Sequence, residues 1–391
     1  MQLEGGILVI GQNIEVLYEK LNEANRCMKS LTNMEDKMAL SNYIGNLYTV
    51  IGNVLNQKIK PKKKQIFGDK KGYKKFYELY DLKEDEMLEH FIRYKEFHSN
   101  LLEEIIPSVE DIMLEFCDDG LIDEEKIPES EFYSIFMEFM KTLKLDGLFE
   151  KYLKEGRIHS TVLKEGDTCL ASTIYNHFSK EIDISVSNFQ YTTLSMFSLA
   201  HEFGHVYDLS HLDVDHKTYN QYFYQSFYGE VYSKLFERLF ITYMIKNHIY
   251  EDQCRDKIFQ MEFINHDYLL SSYILSLLPD GYIEDSCYRE LSKFELIDEV
   301  KNHFYHEDGV MSYLLGIKSL DIRDDFTYAY GDIISMFLKE EVENSGLDNE
   351  LMDEFSKIRT NLFSSDFLEK HDMNSSRYVK LYQKEAGLLK K

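Results

Sequence analysis

Proline and tryptophan are the residues that this sequence lacks most. Its 391 residues include no tryptophan and only four prolines, which are Pro61, Pro107, Pro128 and Pro279. Because proline interrupts helices, this scarcity leaves room for long helices, and the leucine, lysine, glutamate and methionine content favours helix as well. Hydrophobic residues make up 44% of the chain, which is enough to build a substantial core. We therefore expect a mainly helical globular fold.

Paired cysteines and long apolar runs are missing too. The chain has five cysteines, an odd number with no C-x-x-C pair, which argues against a disulfide framework and favours reduced thiols. Near the N-terminus the apolar patch covers only residues 7–10 and no basic segment precedes it, so the sequence predicts no signal peptide. No apolar run reaches the length of a membrane span. These absences predict a cytoplasmic protein.

Positive charge is also in short supply. Lysine and arginine total 44 residues against 69 aspartates and glutamates, and the net charge is −25. Such a charge argues against nucleic acids and anionic membrane surfaces as the main partners. The exception is the lysine-rich segment, residues 58–75, which contains nine lysines and the single acid Asp69. We interpret this segment as a solvated loop or linker, with an interaction patch or a lip that attracts acidic substrates as alternatives.

A change of pattern near residue 155 divides the chain in two. Before it, apolar residues recur at helical spacing over residues 14–55 and again over residues 84–106, where Pro107 predicts the end of a helix. We expect an N-terminal helical lobe over residues 1–155 and a second lobe over residues 156–391.

Three short segments after this boundary are rich in β-branched residues. They are residues 161–163, 169–175 and 182–186, and they predict two or three strands of a small antiparallel sheet. Helical patterns return at Thr192 and Thr193, either of which can cap the next helix.

That next helix contains the pattern H-E-x-x-H, as His201-Glu202-Phe203-Gly204-His205. Residues four apart lie one turn above each other, so the two imidazoles converge on one point in a way that suits zinc. Glu202 follows the first ligand and can take a proton from a water whose pKa the metal lowers. Gly204 allows close packing against a neighbouring element. The motif predicts one zinc ion per chain, with Glu202 as general base.

Two residues compete to be the third protein ligand. The spacing to His211 fits the metzincin pattern H-E-x-x-H-x-x-G-x-x-H, but Asp208 stands where that pattern has its glycine. Glu230 lies in a second helical segment and shares a face with Glu237, seven residues later, which can orient a ligand imidazole through its ring N–H. The alternative for Glu230 is an ordinary pair with Lys234 on a surface helix. We favour Glu230 because its neighbours are apolar and aromatic.

These motifs together resemble the thimet oligopeptidase and oligoendopeptidase F group of zinc peptidases. The resemblance is carried by residues 198–205, by residues 229–233 and by Glu237. It implies that Glu230 is the third zinc ligand, in a two-lobed helical body whose deep channel admits short unstructured peptides. Residues 326–331 resemble the aromatic segment whose tyrosine hydroxyl donates to the tetrahedral intermediate. The resemblance assigns this role to Tyr328, with Tyr330 as the alternative.

The sequence departs from that family in two respects. It is markedly shorter, and residues 321–325 contain no histidine where the family has one before its tyrosine segment, although His303 and His306 lie further upstream. A shorter chain can leave the channel more open, which would admit larger or more specific substrates.

The sequence thus predicts a zinc-dependent endopeptidase of zincin type that hydrolyses short or unstructured peptides. A strand over residues 182–186 would run beside the cleft and either pair with extended substrate or serve structure alone. Three alternatives remain: an inactive zinc-binding relative that binds peptides or regulates, a metzincin-like protease with His211 as ligand, and a structural helical protein.

Overall fold

The computed structural model describes most of the second half of the chain and part of the first. The described residues are 86–115, 125–161, 171–176, 181–187, 191–211, 226–277, 291–292, 319–320, 322–359, 363 and 365–389, with the isolated positions 20, 23, 24 and 26. Apart from those four positions, the helices predicted over residues 14–55 lie outside the described residues, as do the lysine-rich segment, His303 and His306. Among the described residues the cysteine is Cys254, which is buried and forms no disulfide.

Helices dominate the described residues, as the composition predicts. They are α1 (Glu86–Glu115), α2 (Glu129–Thr142), α3 (Asp146–Glu155), α4 (Thr193–Ser210), α5 (Val231–Lys246), α6 (Glu251–Leu277), α7 (Ile322–Ser345), α8 (Glu350–Ile358), α9 (Ser365–Lys370) and α10 (Ser375–Ala386). A 3₁₀ turn, Gly387–Leu389, follows α10. Within the described part of the chain, no helix combines the length and apolar character needed to cross a membrane.

Helix α1 continues past the residue at which the sequence predicts its end. Pro107 lies inside α1, eight residues before Glu115. Its ring is on the exposed side of the helix, where solvent can satisfy the carbonyl that loses its partner. The buried residues on either side, Ile105, Ile106 and Val109, hold the helix against the core. Tertiary packing therefore overrides the local stop signal.

The small sheet has three strands, β1 (Ile158–Thr161), β2 (Ala171–Asn176) and β3 (Glu181–Ser187), in the order β1-β3-β2. Strand β2 pairs antiparallel with β3, with Thr173 opposite Ile184, whereas β1 pairs parallel with β3, with Ile158 opposite Ile184. The sheet is therefore mixed, and the prediction of a wholly antiparallel sheet is wrong. Alternation along a strand identifies its buried face but does not encode the direction of its neighbour. A separate two-stranded pair joins β4 (Leu291–Ser292) to β5 (Ser319–Leu320).

Strand β3 has a neighbour on both sides, which changes the expectation for residues 182–186. Its residues 181–186 pair with β2 and its residues 184–187 pair with β1, so of the two alternatives the pairing supports the structural strand and not the strand that binds substrate. Among the described strands, β2 is the edge that faces α4, because Thr173 of β2 contacts Glu202 of α4.

Helices α4 and α5 form the centre of the packing. Gly204 of α4 lies directly on the backbone of α5, since an added Cβ would be 2.2 Å from the carbonyl oxygen of Tyr232. This confirms the close approach that Gly204 predicts. Helices α6 and α7 pack beside α5, and α1 packs on α6 and α10. Buried residues from both sides of residue 155 belong to one hydrophobic core, and the division into two lobes stays a prediction.

Candidate metal centre

The first two candidate ligands project from α4. Thr192 caps this helix, with its hydroxyl oxygen accepting a hydrogen bond of 3.3 Å from the backbone N–H of Ser195. The helix is regular from Thr193 onward, so His201 and His205 lie on one face, with ring centroids 5.3 Å apart. His205 is buried and His201 is partly buried, in a helix most of whose residues are buried.

The third candidate, Glu230, stands at the N-terminal end of α5. The hydroxyl of Ser233 lies 2.6 Å from Glu230 Oε2 and holds that carboxylate. Two glycines bring the surrounding helices close: Gly204 lets α4 touch α5, and Gly331 lets α7 approach Glu230. An added Cβ at Gly331 would lie 2.7 Å from Cβ of Glu230. Glu230 therefore lies where α4, α5 and α7 pack together, and not on an exposed helix face.

His201, His205 and Glu230 form a group that could hold a metal ion. Glu230 Oε2 is 3.3 Å from His201 Nε2 and 3.4 Å from His205 Nε2. Each of the three residues offers a ligand atom within 4.8 Å of the others, and within the described residues no other such group of histidine, cysteine or acidic residues occurs. Two ligands at about 2.0–2.1 Å from one tetrahedral zinc ion would be separated by about 3.3–3.4 Å. The donor set and its spacing therefore fit the ion that the motif predicts.

A second carboxylate contacts His201 from the opposite side of its ring. Glu237, two turns along α5 from Glu230, places Oε2 3.4 Å from His201 Nδ1. Its other oxygen, Oε1, is 2.8 Å from Nζ of Lys257 on α6. With Nδ1 directed at Glu237, the Nε2 atom of His201 is the one presented to the group.

The charges around His201 favour a cation at this position. Burial lowers the pKa of His201, but hydrogen bonds and charges from Glu230 and Glu237 outweigh burial and raise it to about 10. Burial alone would raise the pKa of Glu230, but the charge of His205 and hydrogen bonds from both imidazoles hold it well below its ordinary value. Two ionised carboxylates flanking imidazoles stabilise positive charge, whether a proton or a metal ion supplies it.

Glu202, the predicted base, faces away from α5 and toward the sheet. Its Oε2 accepts a hydrogen bond of 2.6 Å from the hydroxyl of Thr173 on β2. Both residues are buried. This carboxylate follows His201 in the helix and is not a member of the group.

His211 lies outside the group. Helix α4 continues to Ser210, and His211 is its exposed C-terminal cap, with Nδ1 2.7 Å from the carbonyl oxygen of Tyr207. Asp208, where metzincins turn on a glycine, is buried in a pair with Arg359 and remains helical. The structure therefore brings Glu230, and not His211, to the two motif histidines.

The two candidate tyrosines occupy different surroundings on α7. Tyr330 is fully buried, and its hydroxyl contacts Nδ1 of His98 at 2.5 Å within an aromatic cluster. Burial raises the pKa of Tyr330 well above its ordinary value, so the phenol keeps its proton. Tyr328 is partly exposed, stacks on Tyr268 with ring centroids 4.6 Å apart, and carries Lys234 Nζ 5.7 Å above its ring. Of the two, Tyr328 is the one that solvent reaches.

The alternative pairing of Glu230 with Lys234 is not what the structure shows. Lys234 Nζ donates instead to Oδ1 of Asn265 at 2.7 Å, between packed helices.

Sequence reasoning missed four residues around the group, which are Thr173, Ser233, Lys257 and Gly331. Of these, Ser233 has a local signal, because it lies three residues after Glu230 on a helix.

Comparisons with known proteins add little to this geometry. No protein-family model matches the chain, and no curated protein matches it. A crystal structure from Chlamydophila abortus, described as a "putative peptidase", matches with a TM-score of 0.43 and 14% sequence identity. The match covers 95% of this chain but 63% of that one, so this chain spans less than two thirds of the other's length. The resemblance is distant, and the chemistry of the site follows from its own residues.

Proposed function

We propose that this chain is a zinc-dependent endopeptidase that hydrolyses short or unstructured peptides. The observation that carries the proposal is the spacing of His201, His205 and Glu230, which fits three ligands of one zinc ion, with no fourth ligand among the described residues. When bound, zinc would lower the pKa of a water molecule and polarise the carbonyl of a substrate.

In this proposal Glu202 acts first as general base and then as general acid. Its carboxylate removes a proton from the attacking water, whose oxygen forms the new bond to the peptide carbon. The C–N bond then breaks, and Glu202 delivers the proton to the leaving amine. The hydroxyl of Tyr328 is the proposed donor to the oxyanion, since a positioned O–H stabilises the charge that develops there.

Strand β2 supports an extended peptide as substrate. It is an edge strand among the described residues, and Thr173 brings it into contact with the catalytic glutamate. An extended peptide can add to such an edge by backbone pairing, which suits unstructured chains and excludes folded ones.

The test combines metal analysis with peptide cleavage. The protein is purified without chelators, its zinc content is measured, and it is incubated with a mixed peptide library with and without a chelator. We expect one zinc per chain, cleavage that stops on chelation and returns with zinc, and internal cuts in the product masses. Carboxypeptidase action would instead give products shortened from the C-terminus.

Glu202→Gln is the matched control, because it keeps the shape of the side chain and removes the base. We expect this variant to bind zinc like the wild type and to lose at least roughly 100-fold in kcat, in line with general-base catalysis. A wild type that contains no zinc would overturn the proposal. A zinc-loaded wild type as inert as the variant would identify the inactive peptide-binding relative instead.

A further inference from the structure

Thr173 meets the side chain of Glu202 from outside the motif. Its hydroxyl lies 2.6 Å from Glu202 Oε2 and 3.1 Å from the backbone oxygen of the same residue. The backbone oxygen already accepts a hydrogen bond within the helix. The hydroxyl of Thr173 therefore donates its proton to the carboxylate, which is the shorter contact. This contact joins residues 29 positions apart, on β2 and α4.

The strand holds this hydroxyl rigidly. Thr173 is paired across the sheet with Ile184, a fully buried residue of the central strand. A β-branched side chain has few χ1 choices, so a backbone fixed by the sheet also fixes the hydroxyl. Alternation places the neighbouring Ser172 on the other face of the strand.

Glu202 needs such a partner for two reasons. It is 4% exposed, and a buried carboxylate without hydrogen bonds is costly. Its side chain also has three rotatable bonds, and a general base must reach its proton within hydrogen-bond distance. A donor on Oε2 restrains the carboxylate and leaves Oε1 to receive the proton.

We propose that Thr173 is a positioning residue, which holds Glu202 by one oxygen so that the other faces the attacking water. This inference rests on the proposed peptidase function. It assigns to the edge strand a role in catalysis that differs from substrate pairing, because the contact is made by a side chain and not by the backbone edge.

The kinetic test replaces Thr173 by valine, which has the same shape and a high preference for strands. We expect Thr173→Val to lower kcat roughly 10- to 100-fold, the size typical of losing an outer partner in a metal site. KM should stay within about twofold, because the hydroxyl acts on the chemical step rather than on binding. Zinc affinity should not change, since Thr173 does not touch a ligand.

Two further variants separate this role from a purely structural one. Thr173→Ser restores a hydroxyl, and we expect it to recover most of the lost kcat. Ser172→Ala removes a hydroxyl from the same strand on the opposite face, and it should behave like the wild type. Equal losses in Thr173→Val and Thr173→Ser would overturn the proposal, as would wild-type kcat in Thr173→Val.

A structural readout keeps the test independent of activity. Crystal structures of the zinc-loaded wild type and of Thr173→Val would show whether Glu202 keeps one side-chain conformation. We expect a single conformation in the wild type and several, or a different one, in the variant. An unchanged Glu202 in Thr173→Val would overturn the positioning role even if the chain cleaves peptides. If Glu202 is displaced in Thr173→Val but the wild type cleaves no peptide, the contact still positions Glu202, and the proposed peptidase function is wrong.

Discussion

Glu230 is the residue on which the choice of metal site depends. Its Oε2 lies within 3.4 Å of Nε2 of both motif histidines, whereas His211 rests on the backbone of Tyr207. Replacing Glu230 by glutamine keeps the shape and removes the negative charge. We expect the zinc affinity to fall by more than roughly 100-fold, because even outer partners of a metal site are worth 10- to 100-fold. Competition with a chromophoric chelator measures this.

The control for that prediction is His211→Ala. The exposed imidazole is not part of the group, so this variant should bind zinc with wild-type affinity. The opposite pattern, in which His211→Ala loses zinc and Glu230→Gln keeps it, would establish the metzincin arrangement.

Single residues of the site differ in how far the sequence reveals them. His201, Glu202 and His205 form a motif whose spacing carries its own geometry, and Glu230 and Glu237 follow from helical periodicity and the family resemblance. Thr173 and Lys257 have no such signal. Each reaches the site from a different element, and only the folded chain places them beside Glu202 and Glu237.

At the scale of elements, the contact between α4 and α5 explains the glycine inside the motif. An added Cβ at Gly204 would lie 2.2 Å from the carbonyl oxygen of Tyr232 and 2.5 Å from Cα of Ser233. Both are backbone atoms, so the helices would have to separate. We expect Gly204→Ala to destabilise the protein by about 3 kcal/mol or more, at the upper end of overpacking effects. Urea unfolding measures the free energy.

Gly147 is the matched control, since it is also helical, in α3, and an added Cβ would meet no atom within 4 Å. There alanine should be neutral or stabilise by up to about 1 kcal/mol, because it is the better helix former. If Gly204→Ala unfolds at the same urea concentration as Gly147→Ala, the close approach of α4 and α5 is wrong.

The helices and strands show which structural features a local sequence pattern predicts correctly and which it does not. The start of α4 follows from Thr192, whose capping side chain is visible in the sequence. The end of α1 does not follow from Pro107, because buried neighbours hold the helix together. The parallel pairing of β1 with β3 depends on the path of the chain through β2, which the residues of either strand do not encode.

At the scale of the whole molecule, a buried cluster of charged residues joins four helices. Arg238 of α5 contacts Glu262 of α6, Asp332 of α7 and Glu385 of α10. Lys339 of α7 adds a second cation, 3.1 Å from Glu385. These residues are up to 147 positions apart, so no local pattern predicts the cluster. Three carboxylates around two cations leave one negative charge in excess in a buried setting.

We expect a proton on Glu262 to relieve that excess. Burial raises the pKa of Glu262 from 4.5 to about 8, against the lowering effect of Arg238 and with the repulsion of Asp332. Between these two values the folded protein therefore binds a proton that the unfolded chain has released. Its contribution to stability is fully present below about pH 4.5 and is lost as the pH rises to about 8.

Glu262→Gln should remove this dependence, since an amide mimics the protonated carboxyl and does not titrate. We expect the unfolding free energy of the wild type to fall with pH more steeply than that of the variant over this window. The difference in slope should approach 1.4 kcal/mol per pH unit at most, the value for one full proton. Urea unfolding at several pH values measures both slopes. Glu138→Gln, at an exposed pair with Lys141, should keep the wild-type slope. Parallel curves for the wild type and Glu262→Gln would mean that Glu262 is ionised in the folded protein, with Arg238 outweighing burial.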